Sequence, residues 1–126
     1  MARVKSSKYF SEAELRCKQY PEESQGMDAD FMVWLDTLRE RMGEPIVLNS
    51  AERTAKHSAE AKKADPAAGA HVLGCAVDVR IPNSQYRHRL IKLAFGMGVE
   101  GFGMEGPFVH LDMFSGKPGR PCAWAY

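Results

Sequence analysis

Two histidines and two carboxylates fall in two short segments of the chain, HVLGCAVD at 71–78 and FVHLD at 108–112. Side chains two apart on a strand share a face, so His110 and Asp112 look the same way, and so do Ala76 and Asp78. If the two strands lie close in one sheet, two imidazoles and two carboxylates converge. Two neutral histidines and one carboxylate suit zinc at roughly 2.0–2.2 Å per ligand, and three protein ligands leave a fourth position for water. Water bound there ionises near neutral pH, and a nearby carboxylate can take its proton and pass it to a leaving amine. On spacing alone a histidine on a strand is more often packed or solvated, and a zinc-free domain stays open as an alternative.

The flanking sequence must supply the scaffold. Ser11 followed by Glu14 is a capping-box pattern that starts a short helix, closed off by Pro21 and Gly26. Asp28 caps a second helix with Phe31, Leu35, Leu38 and Met42 along one apolar stripe, and Gly43 ends it. Ile46, Val47 and Leu48 read as a short buried strand that delivers residues 49–54 at its end. The Ala- and Lys-rich stretch 55–70 holds no sustained period and reads as a loop with at most one helical turn. Residues 75–81 read as a strand stopped by Pro82. Ser84 then caps a helix to about Ala94, and Gly96 and Gly98 end it. Two β segments follow, 99–104 and 108–114, with a turn at 105–107. This order predicts an α+β domain: a small, mostly antiparallel sheet with flanking helices.

The 126 residues, 44% of them hydrophobic, suffice for one domain, residues 1–126, with a single core. Seventeen basic against sixteen acidic side chains leave a formal charge of +1, too little to neutralise a run of phosphates, so no nucleic-acid partner is expected. The N-terminal stretch lacks the apolar segment and cleavage site of a secretory signal, and no apolar run is long enough to span a membrane. A chain that is cytoplasmic when made, monomeric by default and without a membrane partner is the expectation. Cys17, Cys75 and Cys122 form neither a disulfide framework nor a CxxC knuckle and read as small buried or partly buried thiols.

The pattern HxxGxAxD followed by HxD resembles the zinc D-alanyl-D-alanine carboxypeptidase and murein endopeptidase family, which has the hedgehog/D-Ala-D-Ala-peptidase fold. The likeness extends to Tyr9, Phe10 and Ser11 with Glu14, Leu15 and Cys17, to Leu35–Arg39, to the SAERT segment at 50–54, and to the terminal Trp124, Ala125 and Tyr126. It implies that His71, Asp78 and His110 hold Zn2+ and that Arg53 contacts a carboxylate or carbonyl of the substrate, as a planar guanidinium can with two hydrogen bonds. Ser50 and His57 are further candidates for substrate contact, weighed against a turn-forming serine and a solvated loop histidine. His88, on the basic side of its helix, receives no role. The implied substrate is a stem peptide or cross-link of bacterial peptidoglycan. Resemblance to compact endolysins together with the missing signal suggests a phage or prophage enzyme that reaches the wall after another protein opens the membrane.

Two positions depart from the pattern. Gly69 stands where many relatives carry serine, and Pro107 stands where better-known members place the glutamate or aspartate that acts as general base. The replacements to hand are Asp112 and then Glu105. Asp112 has an alternative use as the acceptor that orients a ligand histidine, and Glu105 as an exposed turn residue. A catalytically inactive zinc-containing module that binds peptidoglycan or protein is the rival reading.

Overall fold

The protein is described by a computed structural model covering residues 2–114 and 117–126. In chain order it comprises β1 (Arg3–Val4), α1 (Glu12–Leu15), β2 (Met27–Asp28), α2 (Ala29–Met42), β3 (Leu48–Ser50), α3 (Ser58–Ala61), β4 (Ala76–Arg80), α4 (Ser84–Gly96), β5 (Gly101–Met104), β6 (Phe108–Asp112) and β7 (Cys122–Ala125), with 3-10 turns at Pro21–Glu23 and Pro66–Ala68. The fold is α+β. A two-stranded ribbon pairs β1 with β2, and the main sheet has the order β3-β4-β6-β5-β7, antiparallel except where β5 meets β7 in parallel.

Local chemistry sets the helix ends. Ser11 and Glu14 close the capping box on α1. Asp28 accepts from the Phe31 amide at the start of α2, and Gly43, at φ 68°, supplies the left-handed residue that ends it. Asn83, rather than Ser84, caps α4 by accepting from the Tyr86 amide. The stretch 55–70 contains α3, a single turn capped by the His57 ring, and the final strand β7 has no counterpart among the β segments read from the sequence.

Along β4, β6 and β5 alternate side chains part to opposite faces. Val77, Val79, Val109, Leu111 and Phe102 turn to one side and join Leu35, Leu38, Leu90 and Ala94 in the hydrophobic core. Full burial of each large apolar side chain stabilises the fold by about 1.5–3 kcal/mol relative to exposure. Trp34 ties α2 to the end of α4 by donating to the Met97 carbonyl at 2.8 Å. Cys17 and Cys75 are buried free thiols, Cys75 with its pKa pushed up to about 11 chiefly by burial, and Cys122 is half-buried.

The other face of the sheet carries the polar residues in a single cross-strand row. Ser50 pairs with Asp78, Asp78 with His110, His110 with Gly103, and Gly103 with Trp124. Ser50 joins this row because of a register shift in β3. Leu48 pairs with Val79, so a regular antiparallel ladder would set Ser50 opposite Val77 on the core side. The irregularity moves it to Asp78, which is how a bulge re-aims a side chain.

Candidate metal centre

His71 leads into the site from the loop before β4, where Gly74, at φ 74°, makes the turn so close to β2 that a Cβ there would lie 2.8 Å from the Asp28 nitrogen. The histidine ring is fixed from behind, its Nδ1 2.7 Å from the Ala51 carbonyl oxygen. Because a carbonyl only accepts, Nδ1 carries the hydrogen and Nε2 presents a lone pair. Nε2 is buried and has no hydrogen-bond partner among the described residues. It lies 3.5 Å from Asp78 Oδ1, beyond the reach of a good hydrogen bond.

Asp78 divides its two oxygens. Oδ2 accepts from Arg53 Nη2 at 3.0 Å, while Oδ1 faces His71 Nε2 and stands 3.2 Å from His110 Nδ1. The other nitrogen of His110, Nε2, lies 2.7 Å from Asp112 Oδ2. With Nε2–H donating to Asp112, Nδ1 is the nitrogen free to turn toward the centre.

The cluster of His71, Asp78 and His110 brings one ligand atom from each within 4.8 Å of the others, and all three residues are buried. Ligands bound tetrahedrally at 2.0–2.2 Å sit about 3.4 Å from one another. The separations of 3.5 and 3.2 Å from Asp78 Oδ1 to the two imidazole nitrogens match that spacing. The orphaned Nε2 of His71 is the strongest sign that the residues fit an ion, since a buried nitrogen left unpaired costs free energy that a metal bond would recover.

The charges agree with this arrangement. Burial lowers the His71 pKa, keeping the ring neutral and able to donate its lone pair. For His110 burial acts in the same sense but Asp112 and Asp78 outweigh it, so its pKa is raised, and an ion held at Nδ1 would take the place of a proton. Burial would raise the Asp78 carboxyl, yet the two imidazoles hold it well below the usual carboxylate range.

Arg53 stands beside this cluster with three of its donors occupied: Nε to Ser50 Oγ at 3.1 Å, Nη1 to Glu60 Oε2 at 3.1 Å and Nη2 to Asp78 Oδ2 at 3.0 Å. A guanidinium has five N–H groups, so one remains on each terminal nitrogen. Ser50 thus holds the arginine, and His57 spends its Nδ1 on the Ala59 amide at the cap of α3.

Glu60 is a site residue the sequence reading passed over. It is fully buried and accepts from both Arg53 and Lys63, which outweigh burial and lower its pKa. It also accounts for Gly69. A Cβ at that position would lie 2.3 Å from Glu60 Oε1, so the carboxylate fills the space a side chain at 69 would need. The composition of stretch 55–70 concealed this, because a lone glutamate among alanines and lysines reads as solvated.

Neither of the two candidate proton carriers is among the residues that line the cleft over the cluster. Asp112 has no exposed surface: Oδ1 accepts from Arg120 Nε and the Phe114 amide, and Oδ2 faces Arg120 Nη2 and His110 Nε2. Glu105 is half-exposed in the turn after β5, where it accepts from the Gly106 amide.

The metal cluster opens into a cleft of about 300 Å3 whose walls carry Arg53, Lys63, Lys117 and Arg120 together with Phe108, Trp124 and Tyr126. Among its lining residues Asp78 is the one carboxylate. In a chain of formal charge +1 this is a local concentration of cations.

A His-Asp-His cluster of buried ligand atoms, two from the sheet and one from the loop before β4, at the floor of a cationic cleft has the form of a metal-dependent hydrolase site. Residues 8–112 match the family described as peptidase M15, and the chain belongs to that family of peptidases. No curated protein and no solved structure matches it.

Proposed function

We propose that the protein is a zinc metallopeptidase that hydrolyses an amide bond in bacterial peptidoglycan peptides. The observation that carries the reading is the unpartnered Nε2 of His71 facing Asp78 Oδ1 beside His110 Nδ1, within a chain of the M15 family. His71 Nε2, Asp78 Oδ1 and His110 Nδ1 would hold the ion, which supplies Lewis acidity and an ionisable water when bound. Arg53, anchored by Ser50, Glu60 and Asp78, aims its two remaining donors at a substrate carboxylate or carbonyl. Asp112 orients His110 and is spent in doing so.

The cationic and aromatic walls favour a short peptide bearing carboxylates, and peptidoglycan stem peptides and cross-links have that chemistry. The wall-side site of action and a phage or prophage origin belong to the same reading. Among the described residues no helix is long and apolar enough to cross a membrane.

One observation supports a second reading, a zinc-containing binding module: the described cleft has no carboxylate besides the ligand Asp78. The deciding experiment measures zinc content and the release of new amino groups from purified murein, with and without chelator, for the parent and His71→Ala. Zinc near one equivalent, chelator-sensitive release, and loss of both in the variant are expected. Zinc and murein binding with no release would establish the module; a parent without zinc overturns both.

A further inference from the structure

We propose, building on the metal reading above, that Arg120 is a positioning residue for the metal centre: it clamps both oxygens of Asp112 and so fixes the carboxylate that holds His110 with Nδ1 toward the ion. Arg120 lies beyond residues 8–112, the part of the chain that matches the family, and Asp112 is the last residue inside it. The C-terminal segment therefore completes a site that the matched region leaves unfinished.

The geometry supports this link by link. Arg120 Nε donates to Asp112 Oδ1 at 3.1 Å and Nη2 to Oδ2 at 2.7 Å, a two-pronged grip that sets the plane of the carboxylate as well as its position. Oδ2 then meets His110 Nε2 at 2.7 Å. Asp112 is fully buried, so in the folded protein its oxygens are served by these partners and the Phe114 amide rather than by bulk water. The arginine is itself held, with its Nη1 3.3 Å from Cys122 Sγ and its guanidinium carbon 5.1 Å from the Trp124 ring centre. Trp124 in turn packs on the His110 ring at 5.1 Å between centroids, so Arg120 and His110 share a wall.

Strand β5 is shaped for this arrangement. Gly101 lies between Asp112 and Cys122 in the sheet, and Gly103 between His110 and Trp124. A Cβ on Gly101 would fall 2.3 Å from Asp112 Oδ2, and one on Gly103 would fall 2.5 Å from the Trp124 indole nitrogen. The two glycines leave a slot across β5 in which the carboxylate from one neighbouring strand and the indole from the other lie flat. Glycine within a strand commonly marks such a close approach.

The test is a thermodynamic cycle on zinc affinity, measured by competition with a chromophoric chelator, with circular dichroism confirming the fold. Arg120→Ala and Asp112→Asn should each weaken zinc binding by about 10–100-fold, the usual effect of losing the partner that orients a ligand histidine. The double variant should bind no more than about twofold weaker than the weaker single, because the arginine acts through the aspartate. Arg120→Lys, which keeps the charge but not the fork, should recover only part of the loss. If Arg120→Ala does not fold, Arg120→Lys replaces it in the cycle. Folded variants that bind zinc like the parent, or losses that multiply in the double variant, overturn the proposal. A parent that binds no zinc overturns the metal reading and this proposal with it, whereas a parent that binds zinc but cleaves nothing leaves the positioning role standing.

Discussion

Gly101→Ala isolates one feature of the site, the space that β5 leaves for Asp112. Gly101 has no positive φ, so alanine suits its backbone and the effect is steric. The new Cβ would lie 2.3 and 2.4 Å from the two Asp112 oxygens and 2.5 Å from Cγ, where ordinary contact is 3.4–4 Å. The whole carboxylate must therefore retreat by about 1 Å. It is a short side chain gripped on both sides, so its hydrogen bonds to His110 and Arg120 stretch past useful length. Overpacking costs about 1–3 kcal/mol and each charge-assisted bond about 1.5–3. These effects overlap, so a total near 3–5 kcal/mol is expected, against which the entropic gain of Gly→Ala, about 0.4–1 kcal/mol, is small. For a domain of this length that lowers Tm by roughly 10–20 °C. Thermal denaturation reads the stability, and chelator competition should show zinc affinity reduced in the same variant. A folded Gly101→Ala protein whose Tm and zinc affinity equal the parent's would refute the reasoning, since the slot would then not be needed.

Gly69→Ala makes a contact of the same nominal shortness, but with the terminal Glu60 oxygen alone, Glu60 Cδ lying 3.5 Å away, so a small rotation of the longer side chain, which the half-exposed Lys63 can follow, relieves it. A loss under about 1 kcal/mol and a Tm drop of a few degrees are expected, and a fall as large as that of Gly101→Ala would contradict this account. The Glu60 carboxyl has its pKa lowered in the fold, so its stabilisation is present above the unfolded value, about 4.3, and is lost as pH falls through the folded one. The difference in Tm between parent and Glu60→Gln should accordingly be widest above about pH 5 and close on acidification; a pH-independent difference would show that charge is not the cause. Arg53→Lys gathers its donors on one nitrogen and so loses the three separate nitrogens that meet Ser50, Glu60 and Asp78, and kcat/KM for murein peptide should fall about tenfold or more, read by amino-group release, with circular dichroism confirming the fold.

The amino-acid sequence determined much of this protein without reference to its partners in space. The caps of α1 and α2 were legible because a capping residue acts on amides within one turn, and Gly43 because only its own φ is at issue. Strands β4 and β6 and the shared face of His110 and Asp112 followed from the two-residue period, a local property. The α+β class followed from the order of elements. What that period does not contain is which strand lies beside which. The row from Ser50 through Asp78, His110 and Gly103 to Trp124 depends on register, including a bulge in β3 and a parallel pairing of β7. Only the tertiary arrangement decides that Arg120 grips Asp112 behind His110, that Glu60 reaches Arg53 from an unpromising loop, and that Gly101 and Gly103 make room for neighbouring side chains. What the two glycines of β5 make room for comes from β6 and β7. Chemistry that acts within one turn or one strand can be read along the chain; the roles of buried carboxylates are set by neighbours brought near in folding, whose separation in sequence carries no signal.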